Sequence, residues 1–341
     1  MRFDVIRAVE ACYAGTLDDR AWLDGVLQTL EPLDQGPGFA AFLMDASRTH
    51  DVTRDWSPGA IVLSATSGGS HSSNTMLEMN EDLGLFRMSV PPDVLRRFEA
   101  PSPPIERALK RAARVGPRFV EFWRGLLSRH GLKDCVGIFA CEPRGGTLLI
   151  TTAIPTGRPL LSARTFHQLT LFSAHLTSSM RLRAALSGAA SDTAGHAPTE
   201  AVLDPAGRVL DAMKGAQAKD ARQGLADAVR RMDRARGPMR RTDPDDALQL
   251  WQGLVDGTWS LVDQCDSDGK RYILARRNEP GVRDPRALSQ RERSVVAFAS
   301  MGHQNKFIGY LLGSPPARLP GTCSRRNASS GSLRGPSSSG A

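Results

Sequence analysis

The chain has no run of ~18 apolar residues, the length a membrane-spanning helix needs, so no spanning segment is expected. Arg2, Asp4, Arg7 and Glu10 near its start leave no apolar core for a secretory leader. Cysteine is sparse: Cys12, Cys135, Cys141, Cys265 and Cys323 are odd in number, widely spread, and without Cys-x-x-Cys or Cys/His spacing. That pattern argues against a disulfide framework and against zinc, and fits free thiols in a reducing cytoplasm. No phosphate-binding turn of GxxxxGK or GxGxxG type occurs. Ser70 precedes His71 in the run Thr66 to Ser73, but no Gly-x-Ser-x-Gly elbow surrounds it, so the run reads as a loop. His167 and His175 lie about two turns apart on one expected helix, too far to share a metal, and a packed or exposed structural role is expected for both. These absences assign no catalytic residue, no metal ligand and no cofactor, and an enzyme is the least supported class.

What the chain does have is positive charge. Its 341 residues hold 44 Lys and Arg against 36 Asp and Glu, for a net charge of +8 and a pI near 9.6. At ~100–200 residues per domain that length suggests two or three domains. The charge balance favours polyanionic partners. Arg230, Arg231, Arg234, Arg236, Arg240 and Arg241 form one basic cluster, and the segment 314–341 holds four arginines and no acid. Such clusters are more often solvated faces than specific contacts, and loose arginines give only salt-sensitive phosphate binding.

Periodicity sets out the organisation. Phe3, Ile6, Val9 and Tyr13, then Trp22, Leu23, Val26, Leu27 and Leu30, predict two amphipathic helices within residues 3–33. Gly36 to Gly38 breaks the pattern before strand-like Phe39 to Met44 and Ala60 to Ala65. Residues 80–130 read as mostly helical around Pro101, Pro103 and Pro104. Cys135 to Cys141 and Thr147 to Ile154 predict a hairpin, and Ala163 to Leu186 a helix. Buried apolar thiols are the expectation for Cys135 and Cys141, and His130 nearby does not make a zinc site. Ser187 to Thr199 reads as a linker, followed by a hairpin turning at Asp204 to Gly207, a helix over Ala218 to Arg236, and strands within Trp251 to Asp263 and Lys270 to Arg276. The turn Asp266 to Gly269 superficially suits calcium, but Ala275 stands where a loop of that kind needs Glu. Glu279 to Ala287, with Pro280, Gly281 and Pro285, is a second linker.

The most informative segment follows. Ser289 and Glu292 have the Ser-x-x-Glu spacing in which each side chain satisfies a backbone N–H at a helix start. A helix beginning near Gln290 is predicted, with Val295, Val296, Phe298 and Ala299 on its buried side and Gly302 supplying the left-handed stop. Asn305 to Leu312 restarts a helix that gathers Phe307, Ile308, Leu311 and Leu312 on one side, with Gly313 next. Two short helices around a tight turn result.

Leu288, Ser289, Arg291, Glu292, Val295, Val296, Gly302, Asn305, Lys306, Ile308 and Leu312 lie in register on the pattern of the LuxR-type (GerE-like) helix-turn-helix, and residues 288–313 resemble that family. Gln304 replaces its usual Ser and Gly309 its usual Ala, the latter at up to about 1 kcal/mol of helix propensity. The resemblance implies a recognition helix immediately afterwards, set in the major groove. Here 16 of the 28 residues from Ser314 to Ala341 are Ser, Gly or Pro, too little apolar surface to offset chain entropy, and a disordered tail is expected instead. A shifted reading frame and a natural flexible basic tail are both consistent with that composition.

The resulting expectation is an α+β chain. A GAF- or PAS-like sensory domain spans 1–186 and a linker 187–199. A PAS-like α+β unit at 200–279 and a linker at 280–287 lead to a partial all-α helix-turn-helix at 288–313 and a tail at 314–341. The resemblance implies a bacterial, cytoplasmic transcriptional regulator. It would form a homodimer, respond to a small molecule or protein, have no membrane partner, and bind DNA with weakened or lost specificity. Arg291, Asn305 and Lys306 are the candidate phosphate contacts. The alternative is an interaction protein that binds no DNA and titrates an intact paralogue.

Overall fold

Two aspartates open the first helices of the computed structural model. Asp4 accepts from the Arg7 N–H at the start of α1 (Val5–Cys12), and Asp18 from the Ala21 N–H at the start of α2 (Asp19–Leu30). The structure describes residues 3–14, 18–45, 61–67, 103–141, 146–191, 199–251, 254–255, 258–265, 270–277 and 290–313. Both helices bury the apolar stripes read from their spacing. Asp34 then accepts from the N–H groups of Gly36 and Gly38, both at positive φ, and that turn feeds the first strand.

The first sheet runs in the order β2-β1-β5-β4-β3, antiparallel throughout, from β1 (Phe39–Asp45), β2 (Ile61–Ser67), β3 (Ile105–Arg107), β4 (Leu132–Cys141) and β5 (Gly146–Pro155). Ala41 opposes Ile150, and Phe139 opposes Leu149. Both faces are covered. Phe39, Ala41, Val136, Ile138, Ala140, Leu148 and Ile150 pack with α1, α2 and the long α5 (Ala163–Ser191). Ala40, Phe42, Met44, Cys135, Leu149 and Ala153 pack with α3 (Ala108–Val115) and α4 (Pro117–Arg129) through Phe119 and Trp123. Double coverage explains the nearly continuous apolar runs in β4 and β5. The N-terminus of α3 is capped from β4, where buried Asp134 accepts from the Leu109 and Cys135 N–H groups. Burial raises the Asp134 pKa and those N–H bonds oppose the shift.

A second sheet repeats the arrangement. Its order β7-β6-β10-β9-β8 is again antiparallel and has the same connectivity as the first. It comprises β6 (Thr199–Leu203), β7 (Val209–Ala212), β8 (Leu254–Val255), β9 (Trp259–Cys265) and β10 (Arg271–Arg277). Ala201, Leu203, Leu261, Ile273 and Ala275 pack against α6 (Lys219–Arg236) and α8 (Pro244–Leu250), with the short α7 (Met239–Thr242) between them. Val202 and Leu274, on the other side of the pleat, are only half-buried. The turn at Asp204 to Gly207 closes with Gly207 at φ 80°, where a Cβ would lie 2.6 Å from the Ala226 carbonyl oxygen.

The described residues are thus α+β with two antiparallel sheets. A single apolar cluster runs from α1 and the first sheet through α5 to α6 and α8. The expected linker is corrected at both ends: α5 continues through Ser191, and Thr199 already belongs to β6. Trp251 ends α8 rather than opening a strand, its side chain buried against Tyr13 and Arg236. Thr66 and Ser67, read as the start of a loop, instead end β2; the rest of that run, the turn Asp266 to Gly269, the linker Glu279 to Ala287, Leu288, Ser289 and the tail 314–341 lie outside the described residues.

Candidate functional site

The two helices anticipated near the C-terminus form where their spacing places them, but Val296, expected on the buried side with Phe298, is exposed. Helix α9 spans Gln290–Ser300 with Glu292 in its first turn, favourable to the positive end of the helix dipole. It closes through Gly302 at φ 80°: the His303 N–H donates to the Phe298 carbonyl and the Gly302 N–H to that of Ala299, the paired bonds of a Schellman end. Helix α10 spans Asn305–Leu311, with Gln304 extended at its N-cap and making no side-chain cap bond. The Gln that replaces the usual Ser thus leaves that end without a side-chain acceptor.

Asn305 and Lys306 open α10 and are exposed, whereas Arg291 is half-buried in the first turn of α9. Both cationic side chains sit within one turn of a helix start. The opposite side of α10 is apolar: Phe307, Ile308, Leu311 and Leu312 are buried with Phe298 of α9 and Ala174 of α5. The Arg181 guanidinium lies 5.5 Å from the Phe298 ring centre. The pair is therefore seated on the long helix of the first unit.

A buried polar chain runs through that seat. The Tyr310 hydroxyl donates to the Leu248 carbonyl in the last turn of α8 at 2.8 Å, so its oxygen accepts from His175 Nε2–H at 2.7 Å. Nδ1 is left with a lone pair, which accepts the Tyr13 O–H at 3.1 Å. Both tyrosine rings stand edge-on to the imidazole. His175 is 3% exposed, and burial pushes its pKa down to about 3, which keeps it neutral. Burial drives both tyrosine hydroxyls upward. His167 on the same helix is exposed, so the two histidines divide into one packed and one solvated, and among the described residues no cluster of His, Cys, Asp and Glu could hold a metal ion. Cys135 is a buried thiol with a raised pKa, and Cys141 is half-buried.

The arginine cluster on and after α6 is largely committed elsewhere. Arg236 pairs with Asp263, stands 3.2 Å from Glu10, and lies over the Trp251 ring. Arg240 pairs with Asp4 at 2.7 Å and with Glu10 at 3.6 Å. Arg230 pairs with its neighbour Asp227 on the exposed face. Arg236 and Arg240 thus tie α1 to the second unit, while Arg234 and Arg241 are exposed. Sequence reasoning missed Tyr13, Leu248 and Tyr310 as a group, because nothing in local spacing brings them to His175. No protein-family model matches the chain, and no curated protein matches it.

Proposed function

We propose that the chain is a DNA-binding transcriptional regulator of LuxR type, in which two GAF- or PAS-like sensory units control the C-terminal helical pair. The observation that carries this is the α9–α10 geometry. A Schellman end at Gly302 and a restart at Asn305 fall on the residues that carry the resemblance, with Lys306 exposed at the opening of the second helix. The repeated strand order supports a tandem sensory architecture, since one topology used twice is what duplicated modules give. Arg291 and Lys306 contact phosphates and Asn305 assists at the helix start. Such contacts fix position on a duplex and carry no base readout. DNA reading is impaired in this chain because residues 314–341 lack the composition of a recognition helix.

Gel retardation of a mixed-sequence duplex across a salt series tests the reading. The expected result is retardation at low salt that fades steeply as salt rises. No retardation at low salt would favour the second reading, an interaction protein that titrates an intact paralogue. Val296, 47% exposed on α9, is the apolar contact that reading would use.

Among the described residues no helix is long and apolar enough to cross a membrane. The homodimer and the small-molecule or protein signal belong to the same proposal, and analytical ultracentrifugation of the full chain tests the dimer.

A further inference from the structure

We propose that Tyr13, His175 and Tyr310 form a latch that holds the C-terminal helical pair on α5 and makes its docking depend on the position of α1. The two nitrogens of the His175 ring set the coupling. Each is satisfied by a tyrosine from a different element: Nδ1 by Tyr13, just past the end of α1, and Nε2 by Tyr310 of α10. The imidazole is buried, so neither nitrogen can turn to water when its tyrosine withdraws. The proton order is also fixed. Tyr310 uses its own hydrogen on the Leu248 carbonyl, so it can only accept, and the imidazole must carry its proton on Nε2.

Nδ1 must then accept, and Tyr13 is its donor. Removing the Tyr13 hydroxyl strands that lone pair in a buried site, and a turn of the ring that relieves it breaks the bond to Tyr310. The two tyrosines, on separate helices, are therefore coupled through one ring.

The geometry around the chain makes it a switch rather than a fixed rivet. The pair's buried side chains meet α5 at Ala174 and Arg181, and the His175–Tyr310 bond is the polar part of that seat. On the other side, α1 is held to the second unit by Asp4 and Glu10 on Arg240 and Arg236, and by the Tyr13–Trp251 stack. A rearrangement between the two units that pulls on these ion pairs therefore acts on α1, and through it on Tyr13. Undocking frees Phe307, Ile308, Leu311 and Leu312, which cannot reach another partner while they lie on α5. Only the consequence for DNA rests on the regulator reading; the latch does not.

Hydrogen–deuterium exchange on the full chain tests it, comparing wild type with Tyr13→Phe, Tyr310→Phe and the double variant. Tyr13→Phe, although remote in sequence from both C-terminal helices, is expected to speed exchange of amides in 290–313 about tenfold, the factor one hydrogen bond of ordinary strength commands. Amides of the β4–β5 hairpin keep wild-type rates, and the double variant exceeds either single by far less than their product. Unchanged exchange in 290–313 for Tyr13→Phe, multiplicative effects in the double variant, or equal acceleration in β4–β5 would each overturn the latch. Fluorescence anisotropy of a labelled duplex with the same proteins separates the two proposals. The exchange response without duplex binding upholds the latch and removes the DNA reading, and duplex binding without the response removes the latch alone.

Discussion

Acidification should weaken this protein through His175 more than through any other group whose chemistry is legible in the fold. The imidazole is held neutral with a pKa near 3, against an ordinary value of about 6.5 in the unfolded chain. Between those values the unfolded state binds a proton that the folded state refuses. The stability is therefore fully present above about 6.5 and is lost as pH falls toward 3, with a slope of up to about 1.4 kcal/mol per pH unit. From pH 7 to pH 5 the loss integrates to about 2 kcal/mol. Other groups titrate over the same range: burial raises Glu10, Glu106 and Asp134, which favours the folded state on acidification, and lowers His303, which acts as His175 does. A difference measurement removes them. Urea denaturation followed by tryptophan fluorescence, at pH 7, 6 and 5, is compared between wild type and His175→Gln, whose side chain stays neutral throughout. The stability advantage of wild type over the variant should shrink by about 2 kcal/mol over that range. A constant difference would mean that the folded imidazole titrates normally, and the buried relay would be wrong.

Four further outcomes follow from the same contacts. Gln304→Ser supplies the acceptor missing at the N-cap of α10 and should stabilise the pair by about 0.5–1 kcal/mol, read as slower amide exchange in 305–312. Gly207→Ala meets both a positive φ and the Ala226 carbonyl, and should lower stability by about 2 kcal/mol or more in chemical denaturation. Arg236→Ala removes the cation shared by Glu10 and Asp263, which keep only Arg240 and Arg271, and strips the face of Trp251, for a loss of about 1–2 kcal/mol, whereas Arg230→Ala on the exposed face should change stability by less than about 0.5 kcal/mol. Asp134→Ala orphans the Leu109 and Cys135 N–H groups and should cost about 1–3 kcal/mol, with Asp134→Asn milder because the amide oxygen still accepts.

Elements with a local chemical signature were readable from the residues alone. The apolar stripes of α1 and α2, the glycine turn before β1, the hairpin strands β4 and β5, and the α9–α10 pair each announce themselves within a few residues. Helix α8 was not anticipated: Asp243 caps it and Pro244 opens it, and Trp251, expected to begin a strand, is its C-cap. The end of α5 was obscured by composition: Ser and Gly around 187–191 suggest a linker, yet the helix continues through them. The seat of the C-terminal pair was not legible at all. His175 meets Tyr13 across 162 residues and Tyr310 across 135, and only the packing of α1, α5 and α10 creates that neighbourhood. The arginines of α6 and its surroundings read as a basic face for the same reason, because Asp4, Glu10 and Asp263 reach them from distant segments.

The central claim is that the helical pair contacts the phosphate backbone through Lys306 and Arg291. The most direct measurement is the slope of log binding constant against log salt for the full chain on a mixed-sequence duplex, compared with Lys306→Ala and Arg291→Ala. Each substitution should reduce the slope by about one and weaken binding evenly across sequences. A slope unchanged by both, or no binding at low salt, would contradict the account.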